Sequence, residues 1–325
     1  MSSFRKINYS LRPAKAVERK MINFSLKKFS HFDHLSNYQY IGFGSTTFHD
    51  FILFHKELGI DKMISIESSG NKERFNFNKP FSCIEMIFGT SEIVLPKIDW
   101  KKKSILWLDY DKVLQDYYLS DIDTFVSSAV SGSPIILTLN CEPEAYGEDN
   151  EIRKDRLIDE IGEVNLPFGN RPIDFAANNL ALTLYKIIIG RINSKLLTRN
   201  GVLDEHNKLN FEQLFHFHYS DGAKMLTIGG VLLNKSDKKI FDDYNIGEYK
   251  FLSNNESTFN IEIPILTMKE VRFLNSQMPT GIDVNGNLLD SSFTGNFNPK
   301  LAPNEILNFA KIYRFFPQYA EAFSI

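Results

Sequence analysis

Short apolar runs separated by amphipathic stretches set the pattern of this chain. The run Tyr38-Gln-Tyr-Ile-Gly42 reads as a first strand, and the 3.6-residue period from Thr46 to Leu58 predicts a helix that stops at Gly59. Lys62–Glu67, Cys83–Phe88, Ser104–Asp109 and Ser133–Asn140 are further short strands, with connections long enough for helices between most of them. Residues 90–103 hold only a short connection, and residues 68–82 read as a loop or a frayed helix. From Tyr146 to Arg199 the period is helical, first charged (Glu148–Glu163) and then apolar (Ile173–Leu197). Phe211–Tyr219 and Lys224–Leu233 flank Ser220-Asp-Gly-Ala, the signature of a β-hairpin. Beyond it come a strand-like run at Thr258–Ile265, a helix opened by the capping-box spacing Thr267-Met-Lys-Glu270, a loop over 280–299 and an amphipathic helix over Pro303–Ala322.

Strands alternating with helices and finished by a hairpin predict an α/β fold. Its core is a doubly wound, mostly parallel sheet of about seven strands, with an N-terminal helix and a C-terminal helical extension. The expected units are residues 1–36, a core over 37–233, and an extension over 234–325.

In such sheets ligands bind beyond the carboxyl ends of the strands, and those ends carry the polar residues here. The first strand runs into Gly42-Phe-Gly44-Ser45, a turn in which backbone can approach a ligand. Glu67 ends the second strand, about 20 residues beyond that turn, at the distance of a ribose-binding acid. Gly89 follows the third strand, Asp109 ends the fourth with Asp111 close behind, and Asn140 ends the fifth. Arg74, Asn76 and Asn78, interleaved with phenylalanines, suit either stacking on a planar ring or plain connection.

Charge changes the picture at the N-terminus. The overall balance is −3, yet residues 1–30 hold Arg5, Lys6, Arg12, Lys15, Arg19, Lys20, Lys27 and Lys28 against the single acid Glu18. Residues 11–29 read as a helix with Pro13 in its first turn and an apolar face of Ala16 or Val17, Met21 and Phe24 or Leu26. Arg12, Lys15 and Arg19 share another face, which is either a solvated basic stripe or a capture site for an anionic small molecule or nucleotide-like group; such a face also admits nucleic acid as a partner.

The two cysteines, Cys83 and Cys141, lack zinc spacing and fit a reducing, cytoplasmic setting. Phe175–Ile192 is too interrupted by Asn178, Asn179, Lys186 and Arg191 to span a membrane, and residues 1–30 lack the layout of a secretory signal. His49 and His55 stand six apart and do not share a helical face, while His216 and His218 share a strand face but lack a third ligand at a fitting spacing, so no metal site is expected.

The order of strands and the placement of Gly42, Gly44, Glu67, Gly89 and Asp109 resemble the class I S-adenosylmethionine-dependent methyltransferases over residues 37–233. The resemblance implies that Gly42, Gly44 and Ser45 face the methionine and sugar part of S-adenosylmethionine, that Glu67 accepts from the ribose hydroxyls, and that Gly89 lies near the adenine. It places Asp109 at the methyl-transfer point, with Asp109 or Asp111 as base for an oxygen acceptor, and leaves Arg12, Lys15, Arg19, Arg74, Asn78 and Asn140 to hold that acceptor. Two departures stand out: Tyr40 replaces the acid that usually opens the first motif, and Ser45-Thr46 replaces its third glycine. Other readings are a nucleotide-sensing or docking module without turnover, and a nicotinamide-dependent oxidoreductase. Oligomeric state is not written in the pattern.

Overall fold

The computed structural model describes residues 12–68, 70–166, 174–279 and 301–317. Eight strands form one sheet: β1 (Gln39–Gly42), β2 (Lys62–Glu67), β3 (Ile84–Phe88), β4 (Ser104–Asp109), β5 (Ser133–Asn140), β6 (Asn210–Ser220), β7 (Lys224–Leu233) and β8 (Phe259–Ile261). Their order is β3-β2-β1-β4-β5-β7-β6-β8. Strands β1 to β5 pair in parallel, and β7 enters antiparallel between β5 and β6. The order reverses between β1 and β4, where the helices after each strand go to opposite sides and a crevice opens.

The first helices are α1 (Pro13–Leu26), α2 (His49–Leu58), α3 (Lys72–Asn78), α4 (Ser91–Val94), α5 (Asp116–Ser128) and α6 (Pro143–Tyr146). They are followed by α7 (Asn150–Ile161), α8 (Leu180–Asn200), α9 (Lys235–Asp243), α10 (Met268–Gln277) and α11 (Pro303–Ile312). Alternation along each strand divides the apolar residues between two cores. Ile41, Leu106, Leu108, Ile135 and Leu137 meet α5 and α8 on one face. Tyr40, Met63, Ile105, Trp107, Ile136 and Phe217 meet α1 and α2 on the other. Ile246, Phe251, Ile261, Ile312 and Phe315 of the extension join this second core, so the C-terminal part packs directly against the sheet.

Several boundaries differ from those predicted. The sheet has eight strands because β8 pairs in parallel with β6, and only three residues of the run from Thr258 to Ile265 are strand. Residues 72–78 form a true helix, since the Asn71 side chain accepts from the backbone N–H of Arg74 and caps it. Helix α2 begins at His49 instead of Thr46, because Ser45 and Phe48 both take left-handed backbone conformations, with φ of 52° and 51°, and break the first turn. The capping box at Thr267 and Glu270 is present as the spacing predicts. The last helix ends at Ile312, while the loop expected over 280–299 and the end of the helix expected to reach Ala322 lie outside the described residues, as do Arg5, Lys6 and Ile173. Among the described residues no helix is long and apolar enough to cross a membrane.

The N-terminal helix departs most from expectation. It buries Ala14, Val17, Met21, Ile22 and Leu26 as its apolar face, but Lys15, Glu18 and Arg19 are buried with them, so the basic face is not solvated. Pro13 stands in the first turn and Arg12 at the cap makes no capping bond with its side chain. Asp221, from the β6–β7 turn, does that work instead: its carboxylate accepts the backbone N–H groups of Ala14 (3.2 Å) and Lys15 (2.8 Å). A carboxylate at a helix N-terminus satisfies otherwise unpaired donors and meets the positive end of the dipole.

Candidate active site

Register sets two successive levels near the carboxyl ends of the central strands, Ser65–Gly42–Trp107 and, two residues further along β4, Asp109–Thr138–Thr227. Gly42 pairs with Ser65 on one flank and Trp107 on the other, Asp109 pairs with Thr138, and Thr138 pairs with Thr227. At the turn, Ser65 Oγ accepts the Gly44 N–H at 3.1 Å. A Cβ on Gly44 would come within 2.5 Å of the Phe48 ring and 2.6 Å of Ser65 Oγ, so only glycine fits. Gly44→Ala is expected to cost about 1–3 kcal/mol through this overpacking, measured as a fall in the urea midpoint at unchanged slope.

Asp109 is the centre of a buried charged group. Its carboxylate lies 2.8 Å from the Lys15 ammonium, which is itself 2.7 Å from the Glu18 carboxylate. Lys15 is 1% exposed and Glu18 0%, whereas the Asp109 side chain keeps 20% of its surface open. The ammonium also sits over the Trp107 ring, 4.7 Å from its centroid. Trp107 Nε1–H donates to Thr138 Oγ1 at 3.1 Å, Thr138 and Thr227 are 2.8 Å apart, and Thr227 donates to Glu18. Because Thr227 donates its hydrogen to Glu18, the hydrogen between the two threonines belongs to Thr138. One chain of donors therefore runs from the indole to the carboxylate. Burial pushes the Glu18 carboxyl above its ordinary value, and the Lys15 charge works against that shift.

A second pair lies beside the first. Arg19 Nε donates to Asp50 Oδ1 at 2.8 Å, and Tyr40 OH donates to Asp50 Oδ2 at 3.3 Å. Tyr40, which stands in the place of an acid in the first motif, thus recruits a carboxylate from the start of α2. Besides Glu18 Oε2, which meets the Lys15 ammonium as an ion pair, the buried Ser45 Oγ at the glycine turn and Tyr219 OH at the end of β6 have no hydrogen-bond partner among the described residues. Burial, with the charges of Glu18 and Asp109 adding to it, raises the Tyr219 hydroxyl well above its ordinary value, so it is a neutral donor.

The residues singled out from sequence fall into distinct places. Gly42, Gly44, Ser45, Glu67, Gly89 and Asp109 all follow or end β1 to β4 at the carboxyl edge; Gly89 N–H donates to the Glu67 carbonyl at 3.1 Å. Lys15 joins Asp109, while Arg19 sits one turn along on Asp50. Asp111 is exposed just beyond β4. Asn140 turns its side-chain oxygen to the N–H of Glu142 at 2.8 Å, shaping the turn after β5. Arg74 and Asn78 are exposed on α3, where Asn78 donates to the Arg74 carbonyl at 2.7 Å. Glu18, Thr138, Thr227 and Tyr219 were missed. The signals available were a lone threonine in each of two apolar strands, and the i, i+3 spacing of Lys15 and Glu18 in line with Ile22.

His216 stacks on Tyr185 with ring centroids 4.4 Å apart, and His218 Nε2 lies 3.2 Å from Cys141 Sγ, so both histidines are packed into the sheet.

The sequence profile of a family described as "Putative O-methyltransferase" matches residues 7–324, nearly the whole chain. The chain belongs to this family. No curated protein sequence matches it. Among solved structures, Trm1 from Pyrococcus horikoshii, in complex with S-adenosyl-L-methionine, is 11% identical with a TM-score of 0.44, over 70% of this chain and 57% of that one. The N-methyltransferase NodS from Bradyrhizobium japonicum WM9, with S-adenosyl-L-homocysteine, is 10% identical with a TM-score of 0.35, over 67% and 88%. Spermidine synthase from Thermotoga maritima is 10% identical with a TM-score of 0.39, over 76% and 68%. The family member described here thus spans little more than half the length of the first of these structures.

Proposed function

We propose that this family member is an S-adenosylmethionine-dependent O-methyltransferase in which Asp109 takes the acceptor's proton. The observation that carries the reading is the Lys15–Asp109 pair, a buried ammonium holding a partly open carboxylate at the end of β4, beside the point where the strand order reverses. The surroundings fit S-adenosylmethionine: a glycine turn closed to larger residues, an unpartnered Ser45 hydroxyl on it, and Glu67 ending the next strand. Once bound, that cofactor supplies an activated methyl group, which leaves sulfur without its bonding electrons as an oxygen lone pair of the acceptor forms the new C–O bond.

The chain's own part is alignment and proton management. Asp109 receives the hydroxyl proton. The Lys15 ammonium fixes that carboxylate in place. Lys15 and Arg19 are both engaged with carboxylates, which leaves neither to neutralise a phosphate backbone. A small hydroxyl compound therefore suits the site better than a nucleic acid.

A second reading, a binding module without turnover, draws on the same ion pair, because a carboxylate held at 2.8 Å by a buried ammonium also serves as a purely structural anchor for α1. Calorimetric titration with S-adenosylmethionine and its demethylated product tests what both readings share. Binding in the micromolar range is expected, weakened at least tenfold in Glu67→Ala through loss of charge-assisted hydrogen bonds. Folded wild-type protein that binds neither compound would overturn the assignment.

A further inference from the structure

We infer that His55, Asp61 and Cys83 form a binding site for a zinc-like transition-metal ion. The three come from separate elements that converge at the amino-terminal edge of the sheet: the last turn of α2, the residue before β2, and the residue before β3. Their ligand atoms all lie within 4.8 Å of one another. His55 Nδ1 is 3.2 Å from Asp61 Oδ1 and 3.7 Å from Cys83 Sγ.

Those separations are what one ion would impose. With Zn–N and Zn–O bonds of roughly 2.0–2.1 Å and Zn–S of roughly 2.3 Å, a tetrahedron has N···O edges of roughly 3.3 Å and N···S edges of roughly 3.5 Å. The two pairs that involve His55 fall within about 0.2 Å of these, and the Asp61–Cys83 pair, within 4.8 Å, closes on the ion by rotation of the exposed Asp61 side chain. The donor set of imidazole, carboxylate and thiolate is also one that zinc and its neighbours in the first transition row accept. A fourth position can be filled by water or by the Ile60 carbonyl, which lies 3.0 Å from the same ring nitrogen.

The setting holds the ligands still. The Phe81 ring packs on the His55 imidazole with centroids 4.3 Å apart, and Gly59, at φ 68°, turns the chain sharply between His55 and Asp61. On coordination the thiol proton and any proton on Nδ1 pass to solvent and the thiolate and imidazole lone pairs bind the ion, with no change of oxidation state. The ion would clip the end of α2 to the starts of β2 and β3, at the opposite end of the strands from the crevice. It is a structural staple, independent of the methyl donor.

Cobalt(II) titration of the full-length protein, without S-adenosylmethionine, tests this. Expected are one equivalent bound, a thiolate-to-cobalt charge-transfer absorption, and displacement of both by zinc. Cys83→Ser is expected to remove the charge-transfer absorption and to weaken binding more than about 100-fold, since losing even an outer partner of a metal ligand costs 10–100-fold. Asp61→Asn, an exposed position that folding tolerates, is expected to weaken binding with the thiolate signal retained. Absence of any charge-transfer absorption would overturn the proposal. So would a signal that survives Cys83→Ser, which would assign the ion to Cys141 and His218.

Discussion

Asp109→Asn is expected to slow methyl transfer by about 100- to 10,000-fold, the range over which a positioned base contributes, while S-adenosylmethionine binding changes little. Asparagine keeps the size of the side chain and one oxygen for Lys15 but cannot take a proton at neutral pH. The deficit should shrink as pH rises, because an acceptor hydroxyl that ionises on its own no longer needs the base. The measurement is transfer of labelled methyl groups to whichever acceptor the wild-type protein modifies, run in parallel across pH. Equal rates for variant and wild type would reduce Asp109 to an anchor for Lys15, and an equal deficit at every pH would argue against proton removal as its role.

Lys15→Met should have the largest effect on stability of any single change in the site. The side chain is fully enclosed between two carboxylates, and Glu18 has no access to water. Removing one partner of a buried pair leaves an uncompensated charge and costs about 3–5 kcal/mol, even where the intact pair contributes little. In a chain of 325 residues that corresponds to a fall in melting temperature of about 4–7 °C. Glu18 can relieve part of the cost by protonating, and burial already shifts it that way. The double variant Lys15→Met, Glu18→Gln is therefore expected to recover more than half of the loss, since the amide can still accept from Thr227. Thermal and urea unfolding of the three proteins would show it. A loss below about 1 kcal/mol in the single variant would mean that the charges are not buried as described.

Much of this architecture can be read from local pattern because its determinants are local. Period-2 and period-3.6 runs mark the strands and helices, the Ser220-Asp-Gly-Ala turn joins a hairpin, and strand-ending acids fall at the crevice because parallel strands share one direction. What pattern cannot supply is pairing between distant residues. A helix that reads as basic on one face is equally consistent with water or with buried carboxylates, and only the approach of Asp109 and Asp50 decides it. Asn140 ends a strand as Asp109 does, yet it completes its own turn, a choice made by the Glu142 backbone two residues on. His55, Asp61 and Cys83 were not grouped for the same reason. Spacing along one helix or strand says nothing about residues that three elements bring together.

Asp221 caps a helix more than 200 residues earlier in the chain, and this fixes an order of events during synthesis. Until the β6–β7 turn has left the ribosome, α1 has neither its Asp221 cap nor Thr227 to donate to Glu18. Through that interval Val17, Met21 and Ile22 have only α2 and the earlier strands to pack on, and Lys15, Glu18 and Arg19, which end up buried, lack the cover of the hairpin. Seating of α1 is thus a late step that closes one face of the sheet, and a nascent chain stalled before residue 221 would present that apolar stripe to chaperones.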